Sequence, residues 1–261
     1  MSRIDAAFTR CKSEKRAAFI PFIMAGDPNQ EAAQKILDAL PDAGADIIEL
    51  GIPFSDPMAD GPVIQAAGLR ALEAGMNLKK VLAMAAAFRA KHTTPLVLMG
   101  YLNPVYVYGY EQFARDAAKA SVDGIILVDA PPEEAAEIEP VLKAQGIALV
   151  RLIAPTSVPA RLPLLTQGAS GYLYYISITG ITGAASATPE AVNKSIAAIR
   201  AVSTLPVCVG FGIRTKDDVA SFAKQADGVV VGSAIVQKIA EHKGDVAAVS
   251  TFVRTLADGT C

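Results

Sequence analysis

Short apolar runs alternate with amphipathic segments along the whole chain. Each run is typical of a buried strand, the segment after it repeats apolar positions at helical spacing, and the unit recurs about eight times. The predicted strands are 18–24, 46–51, 95–100, 123–129, 147–153, 171–177, 206–210 and 227–232. The predicted helices are 2–15, 30–43, 63–73, 78–91, 111–120, 132–144, 159–167, 189–202, 215–225, 233–242 and 246–257.

This alternation predicts an α/β protein built as a single (β/α)8 barrel, or TIM barrel, over residues 1–261 with an extra N-terminal helix. That helix carries Ile4, Ala7, Phe8 and Cys11 on one face. A doubly wound open sheet is the alternative, because both folds have near-continuous apolar strands. The number of units, the length and the lack of a GxGxxG motif after the first strand favour the barrel. No linker or change of composition indicates a second domain.

Composition excludes several classes of function. The net charge is −2 and the basic residues are scattered, so no nucleic-acid partner is expected. The three cysteines, Cys11, Cys208 and Cys261, are far apart, which favours a reducing compartment over a disulfide framework or zinc site. The N-terminus has no signal-peptide pattern and no apolar run reaches membrane length, so we expect a cytoplasmic protein without membrane contact.

Acidic residues stand where a barrel places its chemistry, at the carboxyl ends of strands. Glu49 interrupts the apolar second strand, and Asp60 ends the loop that follows. Alternation puts Glu49 on the interior side near the mouth, where apolar neighbours raise the pKa of a carboxyl. A strand-end glutamate satisfied by an arginine or a backbone amide is the alternative. Two carboxyls in different surroundings can serve as an acid/base pair.

Glycines follow the last two strands, where barrels commonly bind phosphate with backbone N–H groups. They are Gly210 and Gly212 after the seventh strand, and Gly232 with Ser233 after the eighth. These glycines predict a phosphate site, the alternative being that they only turn the chain. The long, small and polar loop 178–188 predicts a lid, and an ordinary surface loop is its alternative.

Other chemistries find little support. No lysine lies in a strand, which disfavours a Schiff-base aldolase. His92 and His242 have no ligand at metal spacing, so no metal is expected, although a Mg²⁺ site from Glu49 and Asp129 stays open. Arg151 interrupts the fifth strand, and we expect it to face the helices with its charged head at the surface.

Several motifs together resemble the tryptophan synthase α subunit family. They are PFIMAGDP, IELGIPFSDPMADGP, MGYLNPVYVYG, LVDAPPEE, YYISITGITGA and PVCVGFGIRT, in the family's order and spacing through nearly the whole chain. The resemblance implies retro-aldol cleavage of indole-3-glycerol phosphate to indole and glyceraldehyde 3-phosphate. It also implies no cofactor, and a pyridoxal-phosphate-dependent β subunit that receives indole in an α2β2 assembly.

The resemblance assigns roles to individual residues. Glu49 becomes the acid/base, Asp60 the anion beside the indole N–H, and Tyr174 the tyrosine near the catalytic glutamate, while Tyr172 and Tyr175 become framework neighbours. The remaining assignments fall into four sets: phosphate-binding Gly183, Gly212, Gly232 and Ser233; indole-pocket Phe22, Met99, Tyr101, Leu152 and Phe211; lid residue Thr182; and partner-interface Pro53, Asp56, Pro57, Asn103 and Pro132. Ile178 and Thr179 depart from the residues that members can carry in the lid.

Prolines and aromatic residues in the loops after strands two, three and four predict an exposed apolar ring for the partner, though ordinary loop packing is the alternative. The ring residues are Pro53, Phe54, Pro57, Pro104, Tyr106, Tyr108, Pro131 and Pro132. Three other functions stay open: a stand-alone lyase that releases indole, a non-catalytic α-like regulatory subunit and, more distantly, a phosphosugar isomerase.

Overall fold

Eight parallel strands close into a barrel in strand order β1 to β8. The computed structural model describes residues 1–157, 159–176, 189–210 and 212–261. The strands are β1 (Ala18–Met24), β2 (Ile48–Gly51), β3 (Leu96–Gly100), β4 (Gly124–Leu127), β5 (Ala148–Ile153), β6 (Leu173–Ile176), β7 (Val207–Gly210) and β8 (Gly228–Val231). The closed parallel barrel confirms the predicted fold and excludes the open sheet.

Helices surround the barrel and follow the strands in sequence. Within the described residues they are α1 (Arg3–Ser13), α2 (Gln30–Ala39), α3 (Pro62–Glu73), α4 (Leu78–Arg89), α5 (Leu102–Tyr108), α6 (Tyr110–Lys119), α7 (Ile138–Ala144), α8 (Leu162–Thr166), α9 (Pro189–Arg200), α10 (Lys216–Ala223), α11 (Ser233–Glu241) and α12 (Val246–Ala257). Two short 3₁₀ helices, Pro159–Arg161 and Asp258–Thr260, complete the set. None of the helices in this part of the chain has the length and apolar character that crossing a membrane requires.

The extra N-terminal helix closes the bottom of the barrel. Ser2 caps α1 through a capping box with Asp5, and the predicted apolar face is buried. That face packs in one cluster with the side chains that fill the barrel, among them Ile47 and Val97. Phe8 lies against the ring of Tyr172, with 5.9 Å between centroids. The mouth at the opposite end is therefore left for chemistry.

A repeated polar contact holds the strands together in pairs at this bottom end. A side-chain oxygen before each even-numbered strand accepts the N–H of a residue at the start of the strand before it. The pairs are Asp46 with Phe19, Asp123 with Leu96, Ser170 with Leu149 and Asp227 with Val207. Arg10 and Arg3 of α1 also bind Asp46 and Asp123 at 2.5 and 2.8 Å, so these acids are structural.

Four helical segments differ from the prediction. The helix predicted at 159–167 divides into the 3₁₀ helix Pro159–Arg161 and α8. The helix predicted at 30–43 ends at Ala39, because Pro41 has no N–H to continue it. The helix predicted at 132–144 begins only at Ile138, after turns in which Glu134 and Ala135 both donate to the Pro131 carbonyl. Helix α5 was not predicted, and its first N–H is capped from another loop.

Candidate active site

Glu49 points into the barrel. Its Cα pairs with Phe22 on β1 and with Val97 on β3, and Val97 belongs to the interior layer. The side chain is fully buried, and its Oε1 accepts a hydrogen bond from the Tyr172 hydroxyl at 2.6 Å. Among the described residues its Oε2 has no hydrogen-bond partner. A buried carboxyl with one open oxygen is costly, which indicates a functional rather than a structural acid.

Burial sets the protonation state of Glu49. It raises the pKa of the carboxyl to about 8, and the hydrogen bond from Tyr172 lowers it only in part. In an apolar interior the neutral form avoids the cost of desolvating a charge. At neutral pH the side chain is therefore mostly a carboxylic acid, able to give a proton.

Glu49→Gln is expected to increase the free energy of unfolding, and by more as the pH rises. The unfolded carboxyl ionises near 4.5, whereas the folded one keeps its proton to about 8. Between these values ionisation favours the unfolded chain, so the wild type loses stability with rising pH, by at most about 1.4 kcal/mol per pH unit. Urea unfolding of both proteins from about pH 5 to about pH 8 measures the difference. A difference that stays constant with pH contradicts the buried-acid interpretation.

Asp60 is the second acid, at the end of the loop between β2 and α3. It is half-buried, and burial raises the pKa of its carboxyl to about 6. The Tyr101 hydroxyl has the smaller, opposite effect, because it favours the ionised form. Tyr101 accepts the Ala59 N–H at 2.9 Å, and Gln65 Nε2 donates to the Asp60 carbonyl at 2.9 Å. The loop thus holds Asp60 as a carboxylate at neutral pH.

Both acids belong to the same end of the barrel. Met99 of β3 pairs with Gly51 of β2, and Ile52 donates its N–H to the Met99 carbonyl at 2.7 Å. Tyr101, two residues after Met99, shares its inward phase and reaches Asp60 at the rim. Glu49 lies on the inward side of the neighbouring strand. One proton donor and one anion therefore serve a common mouth.

Apolar side chains line the interior around these acids. Phe22, Met99 and Leu152 share the inward phase of their strands, Phe22 through its pairing with Glu49. The Phe22 ring packs directly on Gly51 at the end of β2, where a Cβ would lie 2.6 Å from the ring. Gly51 is thus a site residue that sequence reasoning missed, since its role depends on an aromatic ring from another strand.

Tyr172, just before β6, and Tyr174 and Tyr175 within it do not all have the roles that were predicted. Tyr172 was expected to be a framework neighbour, yet it makes the direct hydrogen bond to Glu49. Tyr174 is also buried near Glu49, and a Cβ on Gly210 would collide with its hydroxyl. Tyr175 points outward and donates to the Ser195 hydroxyl at 3.0 Å, as a framework residue. The signal for Tyr172 was the alternation, which gives it the phase of Tyr174.

The predicted phosphate residues stand at the starts of loops and helices. Gly212 follows β7 with φ +76°, a conformation that favours glycine. Gly232 precedes α11, and Ser233 is its first residue. Helix N-termini of this kind offer backbone N–H groups to an anion. Thr182, Gly183, Phe211 and the whole predicted lid 178–188 lie outside the described residues.

Asp129 and His92, two of the side chains considered for metal binding, make other contacts. Asp129, proposed with Glu49 for Mg²⁺, accepts the Leu102 N–H at 2.7 Å, and no metal-binding group of His, Cys, Asp or Glu occurs among the described residues. The ring of His92 stacks on the ring of Phe88, with 4.7 Å between centroids. Arg151 does face the helices, but its head is buried rather than at the surface, paired with Glu139 at 2.8 Å.

The predicted partner face is only partly exposed. Pro53 is buried, because it follows directly on the end of β2, so it does not belong to an exposed ring. Asp56 and Asn103 are exposed, while Pro57 and Pro132 are half-buried. The large apolar side chains that do face solvent nearby are Met58, Tyr106 and Val107. Met58 and Val107 carried no prediction, although each stands beside a predicted ring residue.

Comparison with known proteins decides the family. The sequence profile described as "Tryptophan synthase alpha chain" matches residues 8–260. The chain belongs to the tryptophan synthase alpha chain family. This family cleaves indole-3-glycerol phosphate, which makes the chain a lyase of tryptophan biosynthesis.

Solved structures match this chain over nearly their whole length. Tryptophan synthase subunit alpha from Legionella pneumophila str. Paris is 39% identical, with a TM-score of 0.91 over 100% of this chain and 98% of that one. Tryptophan synthase from M. tuberculosis, in an aminoacrylate-bound form, is 34% identical with a TM-score of 0.91 and 100% coverage of both chains. A protein from Aquifex aeolicus VF5 is 36% identical with a TM-score of 0.92, covering 100% and 99%.

Proposed function

We propose that Glu49 and Asp60 carry out the family's retro-aldol cleavage of indole-3-glycerol phosphate to indole and glyceraldehyde 3-phosphate. The observation that carries the proposal is the difference between the two acids at one mouth. Burial keeps Glu49 protonated, with a pKa of about 8, while Asp60 ionises at about 6. A proton donor beside an anion is the pair that this reaction needs.

The reaction needs two proton transfers: one to the indole ring and one from a hydroxyl of the glycerol chain. Glu49 gives its proton to C3 of the indole ring, which breaks the aromaticity and leaves positive charge at the ring N–H. The Asp60 carboxylate accepts that N–H and balances the charge. The Glu49 carboxylate then takes the proton of the glycerol hydroxyl next to the scissile bond. The C–C bond breaks, its electron pair returns to the ring, and the new aldehyde leaves as glyceraldehyde 3-phosphate.

Binding is proposed to use the two sides of the mouth. The flat indole lies among Phe22, Met99, Tyr101, Leu152 and Phe211, an apolar surface with Asp60 as its polar contact. Tyr174 packs near the glycerol. The phosphate binds backbone N–H groups at Gly212, Gly232 and Ser233, and the family resemblance adds Gly183 and the lid residue Thr182. What supports this arrangement is the inward phase of the described wall residues and the helix that starts at Ser233.

The pH dependence of kcat/KM is expected to be bell-shaped. Activity requires Asp60 ionised and Glu49 protonated, so kcat/KM is expected to rise with an apparent pKa near 6 and fall with one near 8. Because kcat/KM reports on the free enzyme, these limbs belong to the two carboxyls before substrate binds. Initial rates of indole release across the range test this. A profile that keeps rising above pH 8 contradicts a protonated Glu49.

A pyridoxal-phosphate-dependent β subunit is the proposed partner, in an α2β2 assembly. The proposed contact surface includes Asp56, Pro57, Asn103 and Pro132, next to the exposed Met58 and Val107. Since Met58 and Asp60 share one loop, partner binding can set catalytic geometry. We further propose that residues 1–261 act as one cytoplasmic catalytic domain, and that the α reaction uses no cofactor.

The deciding experiment measures indole release from indole-3-glycerol phosphate, with and without a β subunit. We expect slow release alone and a sharp rise of kcat with the partner. A high rate that the partner leaves unchanged favours the stand-alone lyase. No cleavage under either condition, together with no calorimetric binding of indole-propanol phosphate, favours the non-catalytic regulatory subunit and overturns the proposal.

A further inference from the structure

Helix α5 depends on a residue from a different loop. The residue before it, Tyr101, provides no side-chain cap. Instead, Asp129, in the loop after β4, accepts the Leu102 N–H at 2.7 Å. A helix N-terminus leaves its first N–H groups without internal partners, and a carboxylate there is favourable both as an acceptor and as a charge. Asp129 therefore fixes the peptide that joins Tyr101 to Leu102.

Tyr101 in turn organises the loop that carries Asp60. Its side chain is buried, its ring packs on Phe54 with 5.3 Å between centroids, and its hydroxyl accepts the Ala59 N–H at 2.9 Å. Burial raises the pKa of this hydroxyl, and the nearby carboxyl of Asp60 raises it further. Tyr101 thus contacts this loop near its start and at its end. The position of Asp60 depends on where the Tyr101 ring stands.

The backbone beside Asp129 is itself anchored. The carbonyl of Ala130 accepts from the buried Arg151 guanidinium at 3.3 Å, and the Ala130 N–H donates to Leu127 at 3.4 Å. Arg151 is held by Glu139 on α7. Asp129 therefore reaches Leu102 from a fixed base, although its own side chain is exposed. An exposed loop aspartate without such an anchor is ordinarily free to rotate.

We propose that Asp129 is a positioning residue for the cleavage reaction, acting through the Leu102 N–H and Tyr101 to hold Asp60 at the indole N–H. The inference rests on the proposed function of Asp60 and adds a group that does not touch substrate. It assigns a task to an acid that the sequence offered only as a metal ligand. Three loops, after β2, β3 and β4, become one unit around the catalytic aspartate.

A double-mutant cycle between Asp129 and Tyr101 tests the inference. Asp129→Ala removes the acceptor and is expected to lower kcat about fivefold, the effect of one lost helix cap, with KM changed less than about twofold. Tyr101→Phe removes the hydroxyl through which the effect passes. Adding Asp129→Ala to Tyr101→Phe should therefore cause almost no further loss. Asp129→Asn keeps an acceptor oxygen and should retain most of the wild-type kcat.

Asp245→Ala is the matched control. Asp245 caps α12 by accepting the Ala248 N–H at 2.9 Å, and the glycine before it packs on Pro28 in the loop after β1, not on the loops after β2, β3 and β4. The Asp245→Ala variant loses the same kind of hydrogen bond as Asp129→Ala and should keep the wild-type kcat. If Asp129→Ala does not fold, Leu102→Pro removes the donor instead, because proline is well tolerated at the first position of a helix. The same fall in kcat is then expected.

The outcomes separate the two proposals. Wild-type cleavage and its loss in Asp60→Asn, measured in the same series, test the proposed function alone. If both behave as expected while Asp129→Ala matches Asp245→Ala, the positioning role is wrong and the proposed function stands. Losses from Asp129→Ala and Tyr101→Phe that simply multiply, or an Asp129→Asn variant as impaired as Asp129→Ala, also overturn the positioning role.

Discussion

Glu49→Gln is expected to lower kcat for cleavage of indole-3-glycerol phosphate by about 10³-fold or more. Glutamine has the shape of the protonated acid but no proton to give to the ring and no base to take the hydroxyl proton afterwards. Both transfers pass through one side chain, so their loss is combined. Because the neutral glutamine replaces a mostly neutral acid, the pocket around Tyr172 should be undisturbed.

Ligand binding separates chemistry from folding in this variant. Calorimetric titration with indole-propanol phosphate should give the wild-type dissociation constant within about threefold, since only transition-state interactions are removed. Glu49→Asp retains the carboxyl and withdraws it by one methylene, so an intermediate rate is expected. A wild-type kcat for Glu49→Gln would refute the assignment. Weak binding together with a low melting temperature would point to a structural role.

Asp60→Asn should be the second most damaging change, lowering kcat by about 10²-fold. The amide keeps the size of the side chain but removes the negative charge that balances the protonated ring. The rising limb of kcat/KM near pH 6 should disappear with it, because that limb reports the ionisation of Asp60. Initial rates over the pH range measure both effects in one experiment.

Asp42→Asn is a suitable control for this change. Asp42 is an exposed acid between α2 and β2, at the bottom of the barrel. Its substitution by asparagine therefore removes the same charge far from the mouth. Its kcat and pH profile should match those of the wild type. If Asp60→Asn kept the rising limb near pH 6, another group would be responsible for it and the proposed pairing of acids would fail.

The activity of Glu49 comes at the expense of stability. The same desolvation that keeps it protonated makes its ionisation unfavourable in the folded chain, so the acid destabilises the protein at the pH where it works. Its Oε2 atom has no partner among the described residues. The bottom of the barrel shows the opposite arrangement, in which Asp46 and Asp123 accept backbone N–H groups and pair with arginines. Function and stability are thus assigned to opposite ends of the fold.

Much of the site follows from local pattern. The apolar runs predicted all eight strands, and alternation within β2 was enough to direct Glu49 inward. Tyr172 was undervalued even though alternation gives it the same phase as Tyr174. Its partner lies 123 residues away, and only the closure of the barrel brings the two groups together. β2 and β6 are not neighbours in the barrel, so the pattern within either segment does not indicate that these two side chains meet.

The amino-acid sequence by itself determined the barrel, the buried face of α1, the inward direction of Glu49 and the family motifs. These depend on periodicity and on short segments, which a chain carries locally. Only the tertiary structure decided where α5 begins, that the head of Arg151 is buried, and which hydroxyl binds Glu49. Each of those outcomes depends on a partner from another part of the fold: Asp129, Glu139 or Tyr172. Burial and pairing of polar groups arise when the whole chain packs, and that is where the two carboxyls acquire different pKa values.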